Sequence, residues 1–404
     1  AYEIMPSLVG SEMCIRDRGL RRSISLARSL MTFNLEDLDK FVEDPAASWT
    51  LPGRYYFDTD VYARELDSIF YRTWQYVCHV SLLSESGQYF VRDIGDQSIF
   101  VLKDEHGEIR AFHNVCQHRA HRLLEGDGTT NNRITCPYHA WSYGLSGELK
   151  FARGSDQVQA FPRDEIRLQS VLVDTLCGFV FVNLDPHASP MATIYPGLAE
   201  EILALAPNAA NLVRAHVQNF TLKANWKNSI ENYSECYHCP NRHPSLVNSA
   251  LDIAHYKIKI NTGYHRHITT DVGDRQGYTI KKDGRENLGE FGSWLLWPSM
   301  VFEVYPGGNL TTFNHVPGGP ETVIQETEWY FTSQTPTNEE REVIDFVNIV
   351  REEDIPICEN VQRGLHSKGY KQGRLIVDRE HTYVSEHAVH DFQSRVVRAL
   401  REHR

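Results

Sequence analysis

Apolar and polar positions alternate with two different periods along this chain, and the switches between them mark its parts. Residues 59–76 carry Val61, Leu66, Ile69, Phe70 and Trp74 at helical spacing, which predicts an amphipathic helix. From about Gly87 the period shortens. QYFVRDI, QSIFVLKD and EIRAFHNV are short β-rich runs broken by Gly and Asp, and they predict antiparallel strands up to CGFVFVNL near residue 185. A helix around Pro196–Leu205 and a strand over VRAHVQNFTLKA follow. NWKNSIENYSECYHC (225–239) predicts a helix with Trp226, Ile230, Tyr233 and Tyr237 as its core stripe. Residues 299–333 return to strands around a Gly307–Gly308–Asn309 hairpin, and the tail from Asn338 reads as three helices. The fold class is therefore α+β, with a small all-β domain preceding or inserted in a larger α+β domain.

Composition is that of a globular chain of 404 residues, long enough for one large or two ordinary domains. No run of eighteen apolar residues predicts a membrane span. The net charge is −12 with Lys and Arg scattered, which argues against nucleic acid or an anionic membrane as partner and fits a basic protein partner or a small cationic substrate. The expected location is the cytoplasm. Eight cysteines are too sparse for a disulfide scaffold and suit metal-bound thiolates. Residues 1–30 lack a secretory h-region. They read as a non-native or disordered extension ahead of Met31, with an organellar transit peptide as the alternative.

Two constellations carry chemistry. The first is Cys116-x-His118 and, farther on, Cys136-x-x-His139. Each half offers one thiolate and one imidazole, the set a Rieske [2Fe–2S] centre divides between its two irons. A structural zinc site is the alternative, although zinc fingers ordinarily keep both Cys in one half and both His in the other. His113 and His121 lie outside this pattern and read as surface or packing residues.

The second constellation lies at the end of helix 225–239. Glu231, Glu235 and His238 share a polar face of that helix, Pro240 breaks it, and His243 folds back toward His238. An O₂-activating Fe(II) takes two His and one carboxylate. Asp354 is the candidate, sharing a stripe with Cys358, Val361 and Leu365, while Glu352, Glu353 and Glu359 fall off the stripe and read as solvated. A helix N-cap role for Asp354 remains open. So do a zinc site and a redox pair for Cys236 and Cys239.

With these motifs in view, the chain resembles the α-subunits of Rieske non-haem iron oxygenases. Within them it is most similar to the quaternary-ammonium subgroup that includes carnitine monooxygenase oxygenase components. The likeness spans about residues 47–404 and rests on CQHRAHRLL…ITCPYHAW, NWKNSIENYSECYHCPNRHPSL, EDIPICENVQRGLHSKGY and SEHAVHDF. It implies a Rieske domain at 76–185 and a helix-grip (START-like) catalytic domain at 186–404, with 31–75 as the latter's N-terminal part. It implies Cys116, His118, Cys136 and His139 as cluster ligands, and His238, His243 and Asp354 as ligands of mononuclear Fe(II). Glu235 would bridge His139 of one subunit to His238 of the next in a head-to-tail homotrimer.

No G-x-G-x-x-G unit predicts a nicotinamide site. The resemblance instead implies NADH electrons arriving through a separate flavin/[2Fe–2S] reductase, with O₂ as co-substrate. The expected reaction is monooxygenation of a quaternary ammonium substrate, carnitine cleaved to trimethylamine and malic semialdehyde. Betaine N-demethylation (glycine betaine or proline betaine), aromatic-ring hydroxylation and a non-oxygenating electron carrier are the alternatives. Phe291, Trp294, Trp297, Phe302, Tyr305 and Phe313 could cage the cation, but in strands they read first as core.

Overall fold

In the computed structural model, residues 35–269, 277–279 and 290–402 are described, and the reading of residues 1–30 lies outside them. The first half supplies β1 (Gln75–His79), β2 (Gln88–Ile94), β3 (Gln97–Lys103), β4 (Ile109–His113), β5 (Asp127–Thr129), β6 (Ile134–Thr135), β7 (Ser142–Tyr143), β8 (Leu149–Phe151), β9 (Ser170–Leu176) and β10 (Phe179–Asn183). Seven of these form an antiparallel sheet in the order β1-β10-β9-β4-β3-β2-β5, and β6-β7-β8 form a small separate one. The second half supplies β11 (Val213–Leu222), β12 (Lys257–Ile260), β13 (Tyr264–Ile268), β14 (Gly292–Leu296), β15 (Met300–Tyr305), β16 (Asn309–Gly319) and β17 (Thr322–Phe331). These form a second seven-stranded antiparallel sheet in the order β11-β17-β16-β15-β14-β13-β12. The 307–309 turn joins β15 to β16 as the Gly pair predicts, with Gly307 and Gly308 both at positive φ.

The helices are α1 (Thr59–Glu65), α2 (Met191–Ile194), α3 (Leu198–Leu205), α4 (Trp226–Tyr233), α5 (Cys239–Arg242), α6 (Pro244–Ser249), α7 (Asn338–Leu365) and α8 (His387–Glu402). Among the described residues no helix is long and apolar enough to cross a membrane. One core joins the two sheets. Tyr76, Phe179 and Phe181 of the first, with Trp74 just before β1, pack with Tyr264, Trp294, Phe302 and Tyr330 of the second. A separate core of Phe100, Phe112, Ile134, Tyr143 and Leu149 lies under Cys116 and Cys136.

Three sequence expectations need correction. The helix predicted over 59–76 runs from Thr59, capped by Asp58, through a π-helical turn, Leu66–Phe70. Trp74 already sits in the approach to β1, where its indole N–H bonds the Ser189 carbonyl. The helix predicted over 225–239 stops at Tyr233. Ser234 Oγ bonds back to the Ile230 carbonyl at 2.7 Å, an alternative to the helical ladder that such hydroxyls offer. Tyr237 is therefore 48% exposed and not core. Conversely, the first two of the three helices read in the tail are one, continuous through Pro356. α7 runs unbroken for 28 residues from a Thr337/Glu340 capping box.

Candidate active site

The two Cys/His loops share one backbone design. In the first, the Cys116 amide donates to the His121 carbonyl at 2.8 Å and Ala120 N–H donates back to the Cys116 carbonyl at 3.0 Å. In the second, Cys136 pairs with Trp141 and Ala140 with Cys136 in the same way, at 2.8 and 3.1 Å. Ala120 and Ala140 both turn at left-handed φ, 57° and 58°. The repeated turns bring the two thiols together and the two imidazoles together. The two thiols are each 2% exposed, whereas His118 is exposed and His139 half-buried. The imidazole rings lie 4.7 Å apart. His118 stacks on Trp141 at 4.6 Å. Tyr143 Oη lies 3.3 Å from Cys116 Sγ and accepts from the Gln117 amide at 3.0 Å.

His139 Nδ1 is buried with no hydrogen-bond partner, a state a ring nitrogen avoids unless it has another ligand. The donor set thus suits a mixed thiolate–imidazole cluster, thiols inward and imidazoles toward the surface. His121 points elsewhere, its Nδ1 paired with the Arg122 carbonyl at 2.5 Å.

The second group forms where α4 ends. The Glu235 carboxylate accepts from the amides of Tyr237 and His238, fixing the turn after Ser234. Pro240 falls in the first turn of α5, where its missing N–H costs nothing. It therefore opens the short helix that carries the chain round to His243. His238, His243 and Asp354 converge, with one ligand atom from each lying within 4.8 Å of the others. Asp354 Oδ1 is 2.9 Å from His243 Nε2 and 3.5 Å from His238 Nε2. Asp354 sits in the interior of α7, which removes the N-cap reading.

The outward nitrogens are also held by carboxylates. His238 Nδ1 is 2.5 Å from Glu235 Oε1, and His243 Nδ1 is 2.7 Å from Glu353 Oε2. Each carboxylate fixes the Nδ1–H tautomer and leaves Nε2 as the ligating atom. Glu353, read from the sequence as solvated, is thus a functional partner; Glu359 likewise accepts from the Lys223 amide. Glu231, placed by helical periodicity beside Glu235, instead accepts from Tyr56 and Gln393, and burial pushes its carboxyl up to about 7.

The electrostatics favour a cation at the centre. Burial would raise the Asp354 carboxyl, but hydrogen bonds from both His and the Arg351 guanidinium hold it well below the usual range. Burial would lower His238, yet Asp354 and Glu235 together push it up to about 9. A metal cation would take the place of the His238 proton, and the two imidazoles, then neutral, with one carboxylate are the donor set of an Fe(II) site. Cys236 and Cys239, which bracket His238 and were left open as a zinc site or a redox pair, are joined in a disulfide. Bonded to one another, they leave the zinc alternative without its ligands.

A cavity opens from this centre, walled by Tyr233, Tyr256, Phe291, Ser293, Glu303 and Tyr305. Of the aromatic residues read as cage or core, Phe291 and Tyr305 line it. Trp294, Phe302 and Phe313 are fully buried core.

Residues 73–162 match the family described as the Rieske [2Fe-2S] domain, and residues 209–402 match the ring hydroxylating alpha subunit (catalytic domain). The chain is 33% identical to the carnitine monooxygenase oxygenase subunit of Escherichia coli, covering 90% of this chain and 97% of the relative. It is 30% identical to the chloroplastic choline monooxygenase of Beta vulgaris, covering 82% and 74%. The crystal structure of the quaternary ammonium Rieske monooxygenase CntA with L-carnitine superposes with a TM-score of 0.81 at 32% identity, over 91% of this chain and 100% of that one. Naphthalene 1,2-dioxygenase from Rhodococcus, at 20% identity and a TM-score of 0.72 over 88% and 95%, shares the fold.

Proposed function

Since this chain belongs to the α-subunits of Rieske-type ring-hydroxylating oxygenases, we propose that it is the oxygenase component of a carnitine monooxygenase. In this reading, carnitine is hydroxylated on the carbon beside its ammonium nitrogen. The product is a carbinolamine-type adduct that releases trimethylamine and malic semialdehyde. The observation carrying the oxygenase reading is the convergence of His238, His243 and Asp354 at the head of an aromatic-walled cavity. The relatives support the substrate.

Cys116, His118, Cys136 and His139 would hold the [2Fe–2S] cluster, and His238, His243 and Asp354 the Fe(II). When bound, the cluster supplies electrons and the Fe(II) supplies open positions for O₂. Electrons come from NADH through a separate flavin/[2Fe–2S] reductase. Residues 76–185 would form the cluster domain, and 186–404 with 31–75 the catalytic domain. The protein's own part is positional. Glu235 and Glu353 orient the two imidazoles, Arg351 steadies Asp354 at 3.4 Å, and the tyrosine-walled cavity excludes bulk water.

Glu235 has a second proposed task. The imidazoles of the cluster set lie toward the surface, suited to passing electrons to a neighbouring subunit in a head-to-tail homotrimer. A CntA structure, 31% identical with a TM-score of 0.82 over 92% of this chain and 100% of that one, has been described as giving insight into inter-subunit electron transfer. Glu235→Ala, assayed at saturating iron, should keep both metals yet slow single-turnover oxidation of the prereduced cluster by about 10- to 100-fold. An unchanged rate would remove Glu235 from the path.

The functional test is reductase-coupled O₂ uptake on L-carnitine, glycine betaine, proline betaine and a set of aromatic acids. L-carnitine should give one trimethylamine per O₂. Turnover of the aromatic acids alone would refute the quaternary-ammonium reading.

A further inference from the structure

Among the described residues, Glu303 is the one acid in the cavity wall outside the metal group and the carboxylates behind its imidazoles. It lies on β15, is 4% exposed, and faces the cavity beside Tyr305, two residues along the same face of the strand. Its Oε1 accepts from Tyr233 Oη at 2.9 Å, while its Oε2 is buried with no hydrogen-bond partner. Among the described residues Glu303 makes no ion pair. The nearby guanidinium of Arg351 is directed to Asp354 instead. Burial raises the Glu303 carboxyl, so its ionised form is costly there unless a cationic ligand completes it.

Another wall residue has an open valence. His267 on β13 is buried, and its Nδ1 is engaged by Tyr256 Oη. Its Nε2 is buried without a partner. Burial holds His267 down to about 3, so the ring is neutral. A Tyr256 phenol that donates to Nδ1 places the ring proton on Nε2, where it faces no partner. The Tyr233 ring lies between the two, 5.0 Å from the His267 ring and hydrogen-bonded to Glu303.

We propose that this cavity reads its substrate at two points: Glu303, flanked by Tyr233 and Tyr305, takes a quaternary ammonium head, and His267 Nε2–H takes an oxygen acceptor at the other end. The inference rests on the quaternary-ammonium reading and adds the residues that enforce it. A trimethylammonium group has no N–H to donate. It is recognised by charge and by aromatic faces, and an anion between two tyrosine rings supplies both.

The test is equilibrium binding of L-carnitine, its isostere with an uncharged tert-butyl head, and tetramethylammonium to the iron-loaded protein. Glu303→Gln should weaken L-carnitine by about 30-fold or more and leave the isostere unchanged. Glu303→Asp, which keeps the charge, should retain the preference for the cation. His267→Ala should weaken L-carnitine by about 10-fold and leave tetramethylammonium unchanged. If the wild-type protein binds no quaternary ammonium, the functional reading falls and this subsite with it. If it binds them and Glu303→Gln weakens L-carnitine and the isostere alike, or Glu303→Asp loses the preference as fully as Gln, Glu303 is a packing residue and the subsite alone is overturned. Equal weakening of both cations by His267→Ala would remove the second point.

Discussion

Asp354→Ala should abolish oxygenation while leaving the visible spectrum of the [2Fe–2S] cluster as it is. The carboxylate is the only one that meets both His238 and His243 among the described residues. Without it two neutral imidazoles remain, a set that no longer fulfils the Fe(II) preference for two His and one carboxylate. The loss should exceed the ~100-fold typical of removing a group behind a ligand, and bound iron should fall by about one atom per chain. The cluster set lies on other loops with its own core, so its absorbance should persist. Iron content and turnover measured on the same sample decide the matter. A variant that keeps its iron and its activity would remove Asp354 from the site.

Lys227→Ala should cost the fold about 3–5 kcal/mol, because it leaves a buried charge unpaired. Lys227 and Glu65 are both fully buried, 2.6 Å apart. Glu65 also accepts the Trp226 indole N–H at 2.8 Å, and Lys227 donates to Asn225 Oδ1 at 2.7 Å. The network fastens α1 to the start of α4, the helix whose end presents Glu235 and His238. Burial alone would lower the Lys227 ammonium; Glu65 opposes that. Truncating the lysine removes the counter-charge and opens a cavity. The midpoint of thermal unfolding should fall on the order of 10 °C. Replacing both residues together, as Glu65→Leu with Lys227→Met, should recover much of the loss. If the single variant melts like the wild type, the pair does not hold these helices together.

What the sequence made legible was spacing-borne. The cluster set needs only two short loops, and the C-x-H and C-x-x-H spacings describe those loops almost completely. Most strands were likewise readable from period-two runs, but β12, β13 and β14 of the second sheet were not read from the sequence. The mononuclear centre was legible in its residues but not in its geometry. Helical periodicity carried α4 through to Cys239, because nothing in the pattern of apolar positions reports that Ser234 bonds back to Ile230 or that Glu235 caps a new turn. That error put Glu231 beside Glu235, whereas Glu231 faces Tyr56 and Gln393. Glu353 was missed for a related reason. Its neighbour Asp354 faces inward on α7, and only the return of the chain through α5 brings His243 within reach of both carboxylates. An Arg three residues before Asp354 was the available clue that the carboxylate is buried and paired. Glu303 gave no sequence signal at all. It reads as one polar residue in an apolar strand, and its open oxygen emerges only when Tyr233 and Tyr305 are seen around it.

The most direct test of the whole account is the metal inventory of the protein purified without oxygen and reconstituted with iron and sulfide. The account predicts about three irons and two acid-labile sulfides per chain, two irons in a mixed thiolate–imidazole cluster and one on the two His and one carboxylate. It also predicts that Asp354→Ala lowers only the third iron and Cys116→Ser only the cluster. Zinc in place of iron, or two irons with none lost in Asp354→Ala, would contradict it.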